Sequence, residues 1–279
     1  MSGFSPQWLT LRESADHRAV NTGVRKVWVD DLAAQDRVSI MDIGCGTGSN
    51  LRSLAPHLGA RQVWRLVDYD AALLDAAREA LGRWGDETQE RGETLCIVKD
   101  GREIEVTFLK ADLAANLAEV LDHPCDAVTA AAFFDLVSMQ WIAKFCAEMA
   151  ARRRRFYTVL TYDGHEKWTP ASPEDAAVLA AFHSHQASDK GFGSAAGPGA
   201  SQALVEGFQR AGAKVMTGAS PWQLGPSDQA LMQELARGIA SAVEETGLIA
   251  SDKLASWQSA RRIASACEIG HLDFYAPFD

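Results

Sequence analysis

The stretch that most constrains this chain is residues 38–50, Val38-Ser39-Ile40-Met41-Asp42-Ile43-Gly44-Cys45-Gly46-Thr47-Gly48-Ser49-Asn50. A short apolar run ends in an acid, glycines follow at alternate positions, and a helical pattern begins at Leu51. This order predicts a buried parallel strand, a tight turn and the start of a helix. Glycine is needed where backbone turns with positive φ or lies against a ligand with no Cβ between them. The free N–H groups at a helix start favour an anionic ligand group.

Two nucleotide-site patterns compete for these residues. The dinucleotide fingerprint wants G-x-G-x-x-G/A, and counted from Gly44 its last position falls on Ser49. The residues instead spell Asp42-x-Gly44-x-Gly46-x-Gly48. The second strand, Gln62–Val67, closes with Asp68-Tyr69-Asp70. A carboxylate there accepts both hydroxyls of a ribose, in either kind of site. Tyr69 is placed to stack beside an adenine, and Asp70 to cap the helix Ala71–Trp84. Thr94–Lys99 and Arg102–Lys110 alternate around Asp100-Gly101, a hairpin signal. The second arm ends in Lys110-Ala111-Asp112-Leu113, an acid to accept from the exocyclic amino group and an apolar residue to pack on the ring. Gly85–Gly92 reads as a polar loop.

The series Asp42, Gly44/46/48, Asp68 and Asp112 resembles that of the class I S-adenosylmethionine-dependent methyltransferases. The match spans residues 38–163, and the last strand in outline. The resemblance implies an α/β fold: a doubly wound, mostly parallel seven-stranded sheet with one reversed edge strand and helical insertions. It implies S-adenosylmethionine as cofactor, held by Asp42, Gly44, Cys45, Gly46, Gly48, Asn50, Asp68, Tyr69, Asp112, Leu113 and Ala131. An acceptor nucleophile then attacks the sulfonium methyl in line, and the protein chiefly supplies approach and orientation. Enzymes of the family that methylate exocyclic amines of bases or side-chain amides usually carry Asn/Asp-Pro-Pro-aromatic after the fourth strand. Here the strand Cys125–Ala130 is followed by Ala131-Ala132-Phe133-Phe134-Asp135, without that tetrapeptide. Phe133 and Phe134 line the methyl-transfer channel or pack in the core.

Composition sets the outer limits. The net charge of −10 and pI near 5.2 argue against a general phosphate-binding surface, so no nucleic acid is expected. The cationic run Arg152–Arg155 reads as a helix end, or as a docking patch for an acidic partner. Five scattered cysteines with no C-x-x-C pair suggest reduced thiols, a cytoplasmic protein and no metal site. No apolar run approaches a membrane span and no secretory signal is visible at the N-terminus.

The remaining elements frame the expected site. The whole chain, 1–279, reads as a single domain. Residues 1–36 form an arm, with a helix starting at Ser14-Ala15-Asp16-His17 and running to Gln35-Asp36; as a lid, it would offer Arg12, His17, Arg18 and Asn21. The fifth strand, Arg155–Tyr162, closes with Asp163-Gly164-His165. Residues 164–200 read as an inserted cover. His165, His183 and His185 are the candidate bases, the last two in a loop, whereas His271 reads as structural. Ala213–Ala219 is the sixth strand, residues 227–265 a helical pair and Ala266–Ala276 the last strand. The expected activity is methyl transfer to a small molecule. The alternatives are modification of a protein and a regulatory S-adenosylmethionine binder without turnover. Oligomeric state is left open.

Overall fold

A computed structural model of the chain describes residues 4–278. The extreme ends of the expected 1–36 arm and 1–279 domain lie outside these described residues. In chain order the elements are α1 (Pro6–Ala19), α2 (Thr22–Leu32), β1 (Val38–Ile43), α3 (Ser49–Leu54), β2 (Arg61–Asp68), α4 (Ala71–Trp84), β3 (Glu87–Arg91), β4 (Thr94–Lys99), β5 (Arg102–Lys110), α5 (Leu113–Asp122), β6 (Ala127–Ala131) and α6 (Met139–Ala151). Then come β7 (Arg155–Thr169), α7 (Asp175–Gln186), α8 (Ala200–Arg210), β8 (Met216–Ala219), β9 (Trp222–Leu224), α9 (Gln229–Thr246), α10 (Ser251–Arg261) and β10 (Ala266–Ala276).

One sheet organises the chain, in the order β3-β4-β5-β2-β1-β6-β7-β10-β8, with β9 also on β10. β5, β2, β1, β6 and β7 run parallel. β10 is antiparallel to β7, β8 and β9. The expected doubly wound sheet is present, enlarged to ten strands by β3, β4 and β9. Its reversed strand is not at the edge: β10 lies between β7 and β8.

The strands are apolar on both faces because helices cover both, as parallel sheets require. Along β1, Val38 and Ile40 face one core, and Met41 and Ile43 the other. The first core is filled from α2, α3, α4, α7, α9 and α10, with Trp28 stacked on Tyr157 at 4.7 Å between ring centroids. The second is filled from α5, α6 and α8, around the stacked Phe156 and Phe208. Side chains such as Trp64, Leu51 and Phe145 are fully buried, each worth about 1.5–3 kcal/mol of apolar burial.

Four local readings differ from the fold. The N-terminal arm holds two helices, because Asn21 breaks the run: its side chain accepts from the N–H groups of Gly23 and Val24 and caps α2. Asp16 and His17 therefore lie within α1, which Ser5 caps and Pro6 starts. Residues 87–91 are a strand, not a loop; all five are exposed, so no apolar alternation marked them. β7 continues beyond Tyr162 to Thr169, because Gly164 (φ +91°) carries the strand past a register shift opposite Ile269–His271. His183 and His185 sit in the last turn of α7 instead of a loop.

Candidate active site

The C-terminal ends of β1, β2, β5 and β6 open into one cavity of about 460 Å³. That is in the range of small-ligand sites. Asp42, Gly44, Cys45, Gly46, Asn50, Asp68, Tyr69, Asp112, Leu113 and Ala131 all line it. Gly48 does not: it precedes α3 with φ +74°, and a Cβ there would meet Leu66, Leu81 and Ala77. Its place is in the packing of the helix on the sheet.

The glycine turn is held from two sides. Gly44 has φ +63°, and a Cβ on it would fall 2.5 Å from the Phe133 ring, so the turn and the end of β6 touch. The Gly46 N–H donates to Asp68 Oδ2 at 2.9 Å, while the Asp70 N–H donates to Oδ1 at 3.0 Å. Asp68 is thus fixed at the end of β2, and burial raises its pKa above the usual carboxylate range.

Asp42 is fully buried. Asn50 Nδ2 donates to its Oδ1 at 2.8 Å and to Thr129 Oγ1 at 3.1 Å. Burial, with the Asp68 charge adding, pushes Asp42 up to about 7 against the Asn50 bond. Asp42 Oδ2, Asn50 Oδ1 and Thr47 Oγ1 are buried without hydrogen-bond partners. Orphaned acceptors of this kind are costly, and a ligand with cationic and hydroxyl donors satisfies them. Asp112 caps α5 through the Ala114 N–H at 2.9 Å, and the Leu113 carbonyl accepts from Trp141 Nε1 at 2.9 Å. Tyr69 stays 41% exposed, leaving a ring face free at the cavity rim. Burial drives the Cys45 thiol well up, which makes it a packing residue.

Two further segments complete the walls. From α1 come Leu9, Arg12, Asp16 and His17. Arg12 donates to both oxygens of Asp16 at 2.8 and 3.0 Å, and Trp222 Nε1 donates to Asp16 at 2.9 Å. His17 Nε2 hydrogen-bonds Ser49 at 3.0 Å, and Arg52 ties Glu13 of α1 to the Thr47 carbonyl. Arg18 and Asn21, the other expected lid contacts, do not line the cavity: Arg18 pairs with Asp228, and Asn21 caps α2 and donates to the Ala219 carbonyl. From the expected cover come Asp189, Lys190, Gly191 and Phe192. Phe192 packs edge-on against Phe133 and Trp141, at 5.8 and 5.4 Å.

The three candidate bases do not join this set. His165 faces Glu268 at 3.2 Å on the β10 side. His183 bonds Tyr162 Oη at 2.9 Å, and His185 faces Glu245 at 3.1 Å. Both belong to the packing of α7, one against the sheet and one against α9. His271 is buried, and burial holds it down at about 3, neutral and structural. Phe134 is core, while Phe133 lines the cavity. Leu160 and Ala132, which no motif singled out, also line the cavity, with φ of 59° and 49°. No local signal marks Leu160. It bulges because Asp273, across in β10, accepts its N–H at 2.9 Å.

An acid stands at each of three neighbouring strand ends around the glycine turn, a donor set that suits a nucleoside. Residues 41–165 match the family model of the methyltransferase domain. Those residues form a methyltransferase domain, consistent with a class I S-adenosylmethionine-dependent methyltransferase. No curated protein matches it in sequence. Among solved structures it resembles the cyclopropane-fatty-acyl-phospholipid synthase-like protein of Lactobacillus casei, at 15% identity and a TM-score of 0.51, covering 98% of this chain and 94% of that one. It also resembles the cyclopropane synthase MmaA2 of Mycobacterium tuberculosis, at 10% identity and a TM-score of 0.50, with the same coverages. At these identities the likeness is one of fold.

The residues fit the cofactor. Asp68 would hold the ribose hydroxyls, Asp112 and Leu113 the adenine, and Asp42 the ammonium group. Asp68→Ala is expected to weaken S-adenosylmethionine binding by about 1.5–3 kcal/mol, the range for charge-assisted hydrogen bonds. Unchanged affinity by calorimetry on the folded variant would remove Asp68 from the site.

Binding is also expected to depend on pH through Asp42. Its pKa near 7 means that the free protein holds a proton there which the unfolded chain, at an ordinary carboxylate value, has released. This group therefore favours folding at low pH, and its contribution is lost as pH rises towards 7. A cationic ligand favours the carboxylate, so affinity should rise by up to about tenfold per pH unit below 7 and flatten above it. Calorimetry from pH 5.5 to 7.5 tests this, and Asp42→Asn should flatten the profile.

Proposed function

We propose that this enzyme transfers the methyl group of S-adenosylmethionine to a small-molecule acceptor, giving S-adenosylhomocysteine. One observation carries the reading: α1 and residues 189–192 both reach over the strand ends, so the cavity is walled on two sides beyond the cofactor residues. Its lining includes the apolar Leu9, Val20, Phe133, Leu136, Leu160 and Phe192. Such a wall suits a compact acceptor with an apolar body better than an extended peptide.

The cofactor supplies an electrophilic methyl on sulfonium. The chain supplies the approach: Phe133 against the glycine turn limits the path, and the apolar wall excludes water from it. In the basic run Arg153 is exposed, while the other three guanidinium groups are engaged within the chain, which favours the small-molecule reading over a docking patch. Arg152 pairs with Asp122 and Glu148, Arg154 donates to the Leu121 carbonyl, and Arg155 pairs with Asp31. Five free thiols support action in a reducing compartment such as the cytoplasm. No helix among the described residues is long and apolar enough to cross a membrane.

The test is methyl-labelled S-adenosylmethionine offered separately to a small-molecule extract and to a protein extract. Label in the first supports the reading. Label confined to protein would make this a protein methyltransferase. Binding without any transfer would make it a regulatory protein.

A further inference from the structure

Three basic side chains line the cavity, and they differ in their partners. Arg12 is neutralised by its two bonds to Asp16. His17 is bonded to Ser49, with Glu13 at 3.8 Å. Lys190 is half-buried, yet no carboxylate of the described residues lies in ion-pair distance of it. Its neighbour Asp189 uses one oxygen within the loop: Oδ1 accepts the N–H groups of Gly191 and Gly193 at 2.6 and 3.0 Å. Those bonds close the turn on which Lys190 sits.

The turn is anchored from both sides. Phe192 packs on Phe133 and Trp141, and Ala195 bridges to Ser138. The Ala196 N–H donates to the Val137 carbonyl at 2.7 Å. Lys190 is thus held on a fixed turn at the cavity wall. A half-buried ammonium beside apolar walls is unfavourable until an anion meets it. The carboxylates at the strand ends belong to the cofactor's cations and hydroxyls, so the missing charge lies on a ligand.

We propose that Lys190 reads an anionic group, a carboxylate or phosphate, on the methyl acceptor, so that the substrate class is small acids with an apolar body. This rests on the small-molecule reading above. The other source of an anion in the same cavity is the carboxylate of the cofactor itself, and the experiment separates the two.

A small-molecule cell extract is split at pH 8 on an anion exchanger into retained and flow-through fractions. Each is incubated with methyl-labelled S-adenosylmethionine and the wild-type, Lys190→Gln or Lys190→Arg enzyme, with S-adenosylhomocysteine affinity measured in parallel. The expected result is label in the retained fraction only. The rate at low acceptor concentration should fall at least tenfold in Lys190→Gln and largely recover in Lys190→Arg, with S-adenosylhomocysteine affinity unchanged in both. Label only in the flow-through overturns the proposal and leaves the small-molecule reading standing. So does an unchanged rate in Lys190→Gln. A tenfold loss of S-adenosylhomocysteine affinity in that variant assigns the ammonium to the cofactor and likewise overturns it. Label in neither fraction overturns the small-molecule reading and this proposal together.

Discussion

Gly46→Val is expected to lower S-adenosylmethionine affinity by about 100-fold or more while the protein stays folded. Gly46 has φ +53°, a left-handed conformation that a β-branched residue adopts only at a cost of about 1–3 kcal/mol. Its N–H is the donor that fixes Asp68, so a shift of this turn moves that carboxylate as well. A Cβ would also stand 3.1 Å from Leu9 Cδ1, in the narrow space between the turn and α1. Leu9 is the end of a flexible side chain and can yield, which is why folding should survive. Gly238→Ala in α9 is the control, because nothing lies within 4 Å of the added carbon. Calorimetric titration of both variants checks the result. Equal isotherms for Gly46→Val and the wild type would mean that the turn does not meet the cofactor.

The second large effect concerns stability. Asp273→Ala should destabilise the fold by about 3–5 kcal/mol. Asp273 is fully buried in β10, with burial raising its pKa to about 6. One oxygen accepts the Leu160 N–H at 2.9 Å, the other the Asn21 N–H at 2.7 Å. Alanine would leave both N–H groups unpaired, the Leu160 one fully buried, and a cavity besides. One carboxyl thus joins the start of α2 to the bulge of β7 that lines the site. Urea denaturation measures the loss, and a change under about 1 kcal/mol would show that water replaces the carboxyl without difficulty.

The part of the cavity lining at the strand ends was legible because its signals are local. Asp42, Gly44 and Gly46 form a contiguous stretch, and Asp68 and Asp112 follow strands with clear apolar runs. Caps were equally plain: Asp70 accepts the Ala72 N–H as its position suggested. The rest of the cavity wall was not legible, because tertiary contacts make it. His183 and His185 looked suited to a loop, yet α7 turns one toward Tyr162 and the other toward Glu245. Leu160 enters the cavity wall only through a carboxyl 113 residues away. The Asp189–Phe192 turn was expected in a cover, but its anchor on Trp141 could not be read from spacing. The polar strand β3 was missed for a different reason. It has no buried face, so period-two hydrophobicity, the usual mark of a strand, was never there.

That same strand has a consequence for how the molecule behaves in company. β3 is an outer border of the sheet, pairing with β4 alone. It presents Glu87, Thr88, Gln89, Glu90 and Arg91, all solvent-facing, where an unprotected border would offer the backbone of β4 with its buried Leu95 and Ile97. Charged, short outer strands discourage strand addition by a neighbouring chain. At this border the apolar strands are separated from a neighbouring chain by five residues that contribute nothing to the core.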